Sequence, residues 1–90
     1  MKNIVIYTQD MCGYCVAVKE EFESRGWKYT SYDIKHADNY INLKEQLPNV
    51  KTVPQIWIDE KYIGGYDQLM EWLNTVDLLE IGSGSLFVHD

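Results

Sequence analysis

The sequence predicts an α/β domain: a four-stranded mixed sheet with three helices packed on both of its faces. Three observations lead there. β-Branched and aromatic runs alternate with helically periodic ones, in the order β-α-β-α-β-β-α, across residues 2 to about 81. The opening strand–helix–strand unit implies a right-handed crossover and hence a parallel pair. The last two strands are separated only by a tight turn, which makes an antiparallel hairpin. A chain of 90 residues builds one modest core, so a domain over residues 1–81 and a tail over 82–90 are expected, with no internal repeat or linker.

Asn3 to Tyr7 reads Asn-Ile-Val-Ile-Tyr, without a polar residue after Asn3, which suits a strand buried on both faces. Thr8 to Met11 is a short polar turn. From Tyr14 the period becomes helical: Cys15, Val18 and Phe22 share one face, and Lys19, Glu20, Glu21 and Glu23 fill the other. Arg25 in the last turn and Gly26 after it are stop signals. Trp27 to Ile34 is β-branched and aromatic with partial alternation, a second strand. Asp38 caps a second helix with Tyr40, Leu43 and Leu47 on one face, and Pro48 ends it. Val53 to Ile58 is a third strand, entered through Pro54 where a missing N–H is tolerated. Asp59-Glu60-Lys61 turns the chain into a short partner strand at Tyr62-Ile63. Gly64-Gly65 breaks that strand, and Asp67 starts a third helix. Its apolar stripe is Leu69, Trp72, Leu73, Val76 and Leu79, and Gly82 stops it.

Composition and charge narrow the function. At 46% hydrophobic and 24% charged residues the chain is an ordinary globule and not a disordered segment. A formal charge of −6 lacks the basic footprint of nucleic-acid binding and would be repelled by an anionic membrane. The longest apolar run near the N-terminus, Ile4 to Tyr7, is too short for a signal peptide or a membrane span. The expected compartment is therefore the cytoplasm. Cys12 and Cys15 are the only cysteines, too few for a disulfide framework.

Cys12-Gly13-Tyr14-Cys15 stands where the first strand gives way to a helix. The first N–H groups of a helix are unpaired, and with the macrodipole they favour negative charge. The thiolate of Cys12 is favoured there, as it is for reactive thiols at helix N-termini. Cys15 lies about one turn on, within bonding reach but directed inward with Val18. An exposed nucleophile beside a sheltered resolving thiol is what disulfide exchange requires. The same two residues could instead be half of a zinc site or an inert buried pair. Zinc would need His36 and His89, which do not form the compact pair of a zinc finger, so no metal site is expected. Placement between strand and helix favours redox chemistry over both.

Three stretches together resemble the glutaredoxins, within the thioredoxin fold, over residues 2 to about 75. They are Tyr7-Thr8 running into Cys12-Gly13-Tyr14-Cys15, then Thr52-Val53-Pro54-Gln55-Ile56, then Gly64-Gly65-Tyr66-Asp67. The resemblance implies a glutathione-dependent thiol–disulfide oxidoreductase, with glutathione as reducing co-substrate and no tightly bound cofactor. By the same likeness Cys12 is the nucleophile that forms a mixed disulfide with glutathione, and Cys15 is the resolving thiol for protein disulfides. Pro54 matches the cis-proline beside the active site. Thr52 and Val53 precede it, and Val53 resembles the residue whose backbone pairs with the cysteinyl unit as an added strand would. Tyr14 is similar to the aromatic that flanks the glutathione sulfur. Gly65, Tyr66 and Asp67 resemble the loop whose backbone N–H groups grip the γ-glutamyl carboxylate, with the Asp67 side chain meeting the ammonium. A helix N-terminus binds carboxylates without a basic side chain, which lets an acidic protein take an acidic tripeptide.

The sequence departs from the family pattern in three places. Gln9 stands where many relatives have a lysine for the glycine carboxylate, so that contact loses its charge. Lys51, slightly ahead of Lys44, is the candidate for the remaining cation, although each also fits a solvated surface lysine. Gln68 replaces a common aspartate, and Gly13 a common proline. In some glutaredoxins a small residue at the Gly13 position accompanies a [2Fe-2S] cluster held between two subunits, an alternative to catalysis. A thioredoxin-like donor that does not use glutathione is the other alternative. Protein disulfides are the implied substrates of a monomer. Ribonucleotide reductase is a common client of the family, though no residue here points to it. The aromatic residues carry no interleaved bases to suggest stacking on nucleic acid. Trp72 is expected in the core stripe of the third helix, Trp57 against a helix, and Leu86-Phe87-Val88 in a frayed tail.

Overall fold

The structure is a computed structural model that describes residues 2–82. In chain order the elements are β1 (Ile4–Thr8), α1 (Gly13–Ser24), β2 (Thr30–Asp33), α2 (Ala37–Gln46), β3 (Gln55–Ile58), β4 (Lys61–Gly64) and α3 (Tyr66–Gly82). The sheet runs β2-β1-β3-β4. β1 and β2 are parallel, with Val5 opposite Thr30. β1–β3 and β3–β4 are antiparallel, with Ile6 opposite Ile56 and Ile58 opposite Lys61. The mixed sheet and its three helices are those the sequence predicts.

Strand alternation decides where the core sits. Ile4 and Ile6 of β1 and Ile56 and Ile58 of β3 point to one face, where Val18 and Phe22 of α1 and Leu69 and Leu73 of α3 cover them. Each such side chain contributes about 1.5–3 kcal/mol on burial. The predicted α1 stripe of Cys15, Val18 and Phe22 is the buried face of that helix. α1 closes at Arg25, and Gly26 takes a left-handed φ of 72°. On the opposite face α2 buries only Leu43.

Several element boundaries differ from expectation. β2 covers only Thr30–Asp33, because Trp27 and Tyr29 leave the ladder to pack on the core. Both rings lie against Phe22, with centroids 6.1 and 5.9 Å away. α2 begins at Ala37 with His36 at its N-cap, so Asp38 is not the cap but sits in the first turn, where its charge suits the dipole. Tyr40, expected on the buried face of α2, is exposed. β3 starts at Gln55 and not at Val53, and β4 starts at Lys61 and not at Tyr62. The turn between them is Asp59-Glu60 alone, with φ of 52° and 70°. Asn3 anchors it: its carbonyl accepts the Asp59 N–H at 2.7 Å, and its N–H donates to Asp59 Oδ1 at 2.8 Å.

α3 starts one residue early, at Tyr66, and its predicted stripe runs out of partners. Leu69 and Leu73 are buried, Trp72 and Val76 are half-buried, and Leu79 is exposed. A 17-residue helix spans about 25 Å, while strands of four or five residues span about 13–17 Å. The last turns therefore pass beyond the sheet. Trp57, expected against a helix, instead packs between Tyr7 and Tyr62 with ring centroids 5.5 and 5.1 Å away. Of the tail assigned to 82–90, Gly82 is the last residue of α3, and 83–90, with Leu86-Phe87-Val88 and His89, lie outside the described residues.

Candidate active site

The chain leaves β1 at Thr8, turns through an exposed Met11 with a left-handed φ of 57°, and enters α1 with Cys12 at the N-cap. That position is usually held by a side-chain oxygen that accepts a helix N–H. Here sulfur does so: the Cys15 N–H donates to Cys12 Sγ at 3.1 Å. An acceptor at the positive end of a helix holds it more strongly when it is an anion, and this favours a thiolate at Cys12 in the reduced protein. One helical turn brings Cys15 to a Cα–Cα separation of 5.2 Å, and the two sulfurs form a disulfide. Cys15 is buried and Cys12 half-buried, so solvent reaches the pair from the Cys12 side.

The opposite wall is the segment before β3. The Val53–Pro54 peptide is cis, Pro54 is buried, and the Val53 carbonyl oxygen lies 3.7 Å from Cys12 Sγ. Two clefts meet at this wall. One, of about 300 Å³, lies among Tyr14, Val53, Pro54, Gly65, Tyr66 and Asp67. The other, of about 430 Å³, lies among Gln9, Tyr40, Lys44, Lys51, Thr52 and Val53. Thr52 and Val53 line both. Every residue that the family resemblance assigns to the glutathione site thus borders the disulfide or one of the two clefts. The Tyr14 and Tyr66 rings bridge α1 and α3, with centroids 5.0 Å apart.

The start of α3 supplies backbone donors to the first cleft. Gly65 is its N-cap, and the first N–H groups of a helix, here those of Tyr66 and Asp67, have no intrahelical acceptor. Gln68 changes the expected set. At the third helical position it reaches back so that its Oε1 accepts the Gly65 N–H at 2.9 Å, one half of a capping box. The Gly65 N–H is therefore occupied by the protein itself. In the sequence Gln68 stands out only as a missing aspartate; a glutamine three residues after an N-cap glycine was the available signal.

Cations are sparse around the second cleft. Lys44 Nζ donates to the Val50 carbonyl, which ties that ammonium to the loop. Lys51 is exposed on the rim. Lys35 is engaged by Asp10 at 2.8 Å, whose hydrogen bond and charge hold the Lys35 ammonium above its ordinary pKa and the Asp10 carboxyl below its own. Among the described residues no group of His, Cys, Asp or Glu is placed to hold a metal ion.

Comparison with known proteins agrees with this geometry. The glutaredoxin family model matches residues 4–63, well over half of the chain. A glutaredoxin of Pseudomonas aeruginosa is 35% identical over 72 residues, covering 77% of this chain and 82% of that protein. The chain belongs to the glutaredoxin family. Glutaredoxin 3 of Escherichia coli is 37% identical over 71 residues, 77% of this chain and 83% of its own. Among solved structures, glutaredoxin 1 of Francisella tularensis, complexed with cacodylate, has a TM-score of 0.73 at 26% identity, covering 84% of this chain and 96% of that one. A buckwheat glutaredoxin–glutathione complex has the same score at 28% identity, covering 89% and 76%. The architecture is the thioredoxin fold of glutaredoxins, and membership in the family makes the chain a thiol–disulfide oxidoreductase.

Proposed function

We propose that this glutaredoxin uses glutathione to reduce glutathione mixed disulfides and protein disulfides, with Cys12 as nucleophile and Cys15 as resolving thiol. One observation carries the proposal: Cys12 Sγ sits at the start of α1, 3.7 Å from the Val53 carbonyl, on the wall shared by both clefts. The Cys12 thiolate attacks the glutathione sulfur of a mixed disulfide. The S–S bond breaks, the target leaves as a thiolate that takes a proton, and glutathione remains on Cys12. A second glutathione thiolate attacks that bond, releasing glutathione disulfide and restoring Cys12. With a protein disulfide, Cys15 displaces the target from Cys12, and two glutathiones then reduce the Cys12–Cys15 bond. The buckwheat complex supports glutathione as the ligand. In our reading its γ-glutamyl end takes the cleft of Tyr66 and Asp67, and its glycine end lies toward Gln9 and Lys51. Glutaredoxin potentials of about −200 to −230 mV lie close to the poise of a reducing cytoplasm, where we place this protein as a monomer.

Mass spectrometry of the reduced protein titrated with glutathione disulfide tests the proposal. Wild type should take up one glutathione and expel it as the Cys12–Cys15 disulfide forms, while Cys15→Ser should retain it. Cys12→Ser should take up none and should lose turnover in an assay coupled to glutathione reductase. Full activity of the Cys12 variant would refute the mechanism.

A further inference from the structure

The shared wall of the two clefts is held from behind. Gln55 and Trp57 alternate with Ile56 and Ile58 along β3, so they face away from the α1/α3 core. Gln55 is only 4% exposed, and both ends of its amide are bonded. Its Nε2 donates to the Thr52 carbonyl at 3.0 Å, and its Oε1 accepts the hydroxyl of Tyr62 on β4 at 2.5 Å. A carbonyl only accepts, so the amide must present its NH₂ to Thr52, and the Tyr62 hydroxyl matches that orientation by donating to the other end. A register shift between Ile56 and Trp57 sets Tyr62 opposite Trp57, and the ring, tilted at 50° against the indole, places its hydroxyl at Gln55.

We infer that Tyr62 and Gln55 form a positioning relay that fixes the Thr52–Val53 segment, so that the Tyr62 hydroxyl sets how tightly the clefts hold their ligand. The inference rests on the proposed glutathione site. Neither residue touches a sulfur, and neither acts on the chemistry directly. Thr52 is the point of leverage, because it lines both clefts and adjoins Val53, whose carbonyl faces Cys12 Sγ. Loss of the hydroxyl leaves the Gln55 oxygen buried without its partner, and the amide is then free to rotate away from Thr52.

Tyr62→Phe tests this, because it keeps the ring against Trp57 and removes one oxygen. Turnover of a glutathionylated cysteine peptide should show KM raised three- to tenfold with kcat within twofold of wild type. Backbone 15N order parameters of Thr52 and Val53 should fall while those of β1 are unchanged. Tyr32→Phe, on the same sheet face but outside the relay, is the control and should move neither. A Tyr62→Phe protein with wild-type KM and wild-type order parameters at Thr52 and Val53 would overturn the relay, as would equal effects from both tyrosines. If wild type fails to turn over the peptide at all, the glutathione reading fails, and the order parameters at Thr52 and Val53 still decide the relay.

Discussion

Replacing Gly64 with alanine should cost far more than the same change at Gly65 or Gly13. Gly64 has φ of +121°, a backbone conformation that L side chains rarely adopt, and forcing alanine into it costs about 1–3 kcal/mol. An added Cβ would also stand 2.8 Å from both Cβ and Cγ of Gln68. Because Gln68 Cβ is fixed to the first turn of α3, relief requires that helix to move, at about 1–3 kcal/mol more. The stiffer unfolded chain returns about 0.4–1 kcal/mol. The net loss is about 1–5 kcal/mol, or roughly 4–40 °C in Tm at about 4–8 °C per kcal/mol for a domain this small. At Gly65 the nearest atoms to a new Cβ are the Pro54 carbonyl oxygen at 3.4 Å and Gln68 Oε1 at 3.5 Å, ordinary contact. At Gly13 nothing lies within 4 Å.

Thermal and urea unfolding of the three variants, followed by far-ultraviolet circular dichroism, gives the comparison. Gly65→Ala and Gly13→Ala should fall within about 1 kcal/mol of wild type. If Gly64→Ala unfolds at the same midpoint as Gly65→Ala, the account of this bend is wrong. The consequence for function follows from position. Gly64 aims the start of α3 at the Pro54 segment, so an alanine that shifts α3 also moves the Tyr66 and Asp67 N–H groups out of the cleft.

Two further outcomes are expected. The Thr8 hydroxyl is buried at the end of β1 and is the one buried side-chain polar atom without a hydrogen-bond partner among the described residues. Thr8→Val keeps the shape and removes that unpaired group, and urea unfolding should show it equal to wild type or more stable by about 1 kcal/mol. The Tyr29 phenol is pushed up from 10.0 to about 12 by burial and by its hydrogen bond to Glu23 at 2.7 Å. A group raised on folding contributes stability that is complete below its unfolded pKa, so the Tyr29 contribution should be intact below pH 10 and lost as pH rises toward 12. Unfolding midpoints measured across that window should fall less steeply for Tyr29→Phe than for wild type.

Which parts of this site can be read from the sequence depends on how local their cause is. Cys12 at a helix start, Pro54 at a strand entry and Gly64 at a sharp bend each follow from the backbone of a few neighbouring residues, and the sequence placed all three. Gln55 carries no such mark, and Gln68 only the weak one of a glutamine three residues after a glycine. A glutamine next to a proline or near a helix start is common, and its role appears only when a carbonyl or an N–H from another segment comes within reach. The second strand was overextended for the same reason. Trp27 and Tyr29 have the composition of a strand, but Phe22, Trp72 and the end of α1 offer them more burial than a ladder at the sheet edge would. Asp38 has the local preference of a cap, but the start of α2 is also fixed by Asn39 Nδ2 donating to the Asp33 carbonyl at 2.9 Å, which puts His36 at that position.

The acidity of the chain, which argues against nucleic acid, bears differently on a small anionic ligand. Several cations are already engaged: Arg25 with Glu21 and Asp77, Lys35 with Asp10, and Lys44 with the Val50 carbonyl. What remains within reach of the clefts is Lys51 at the rim and the unpaired N–H groups that begin α1 and α3. These two helix starts flank the Val53–Pro54 wall, one at the Cys12 sulfur and the other at the cleft where we propose the γ-glutamyl carboxylate binds. Backbone donors carry only partial charge and fade within the first helical turn, so they act on a bound group and not on an approaching one. Binding built this way tolerates a net charge of −6, because repulsion from distant carboxylates is screened over about 8–10 Å while a hydrogen bond at contact is not. The capture of the Gly65 N–H by Gln68 follows the same logic: it leaves the Tyr66 and Asp67 N–H groups for the proposed γ-glutamyl carboxylate, and in that proposal the Asp67 side chain carries more of the specificity, by meeting the ammonium beside it.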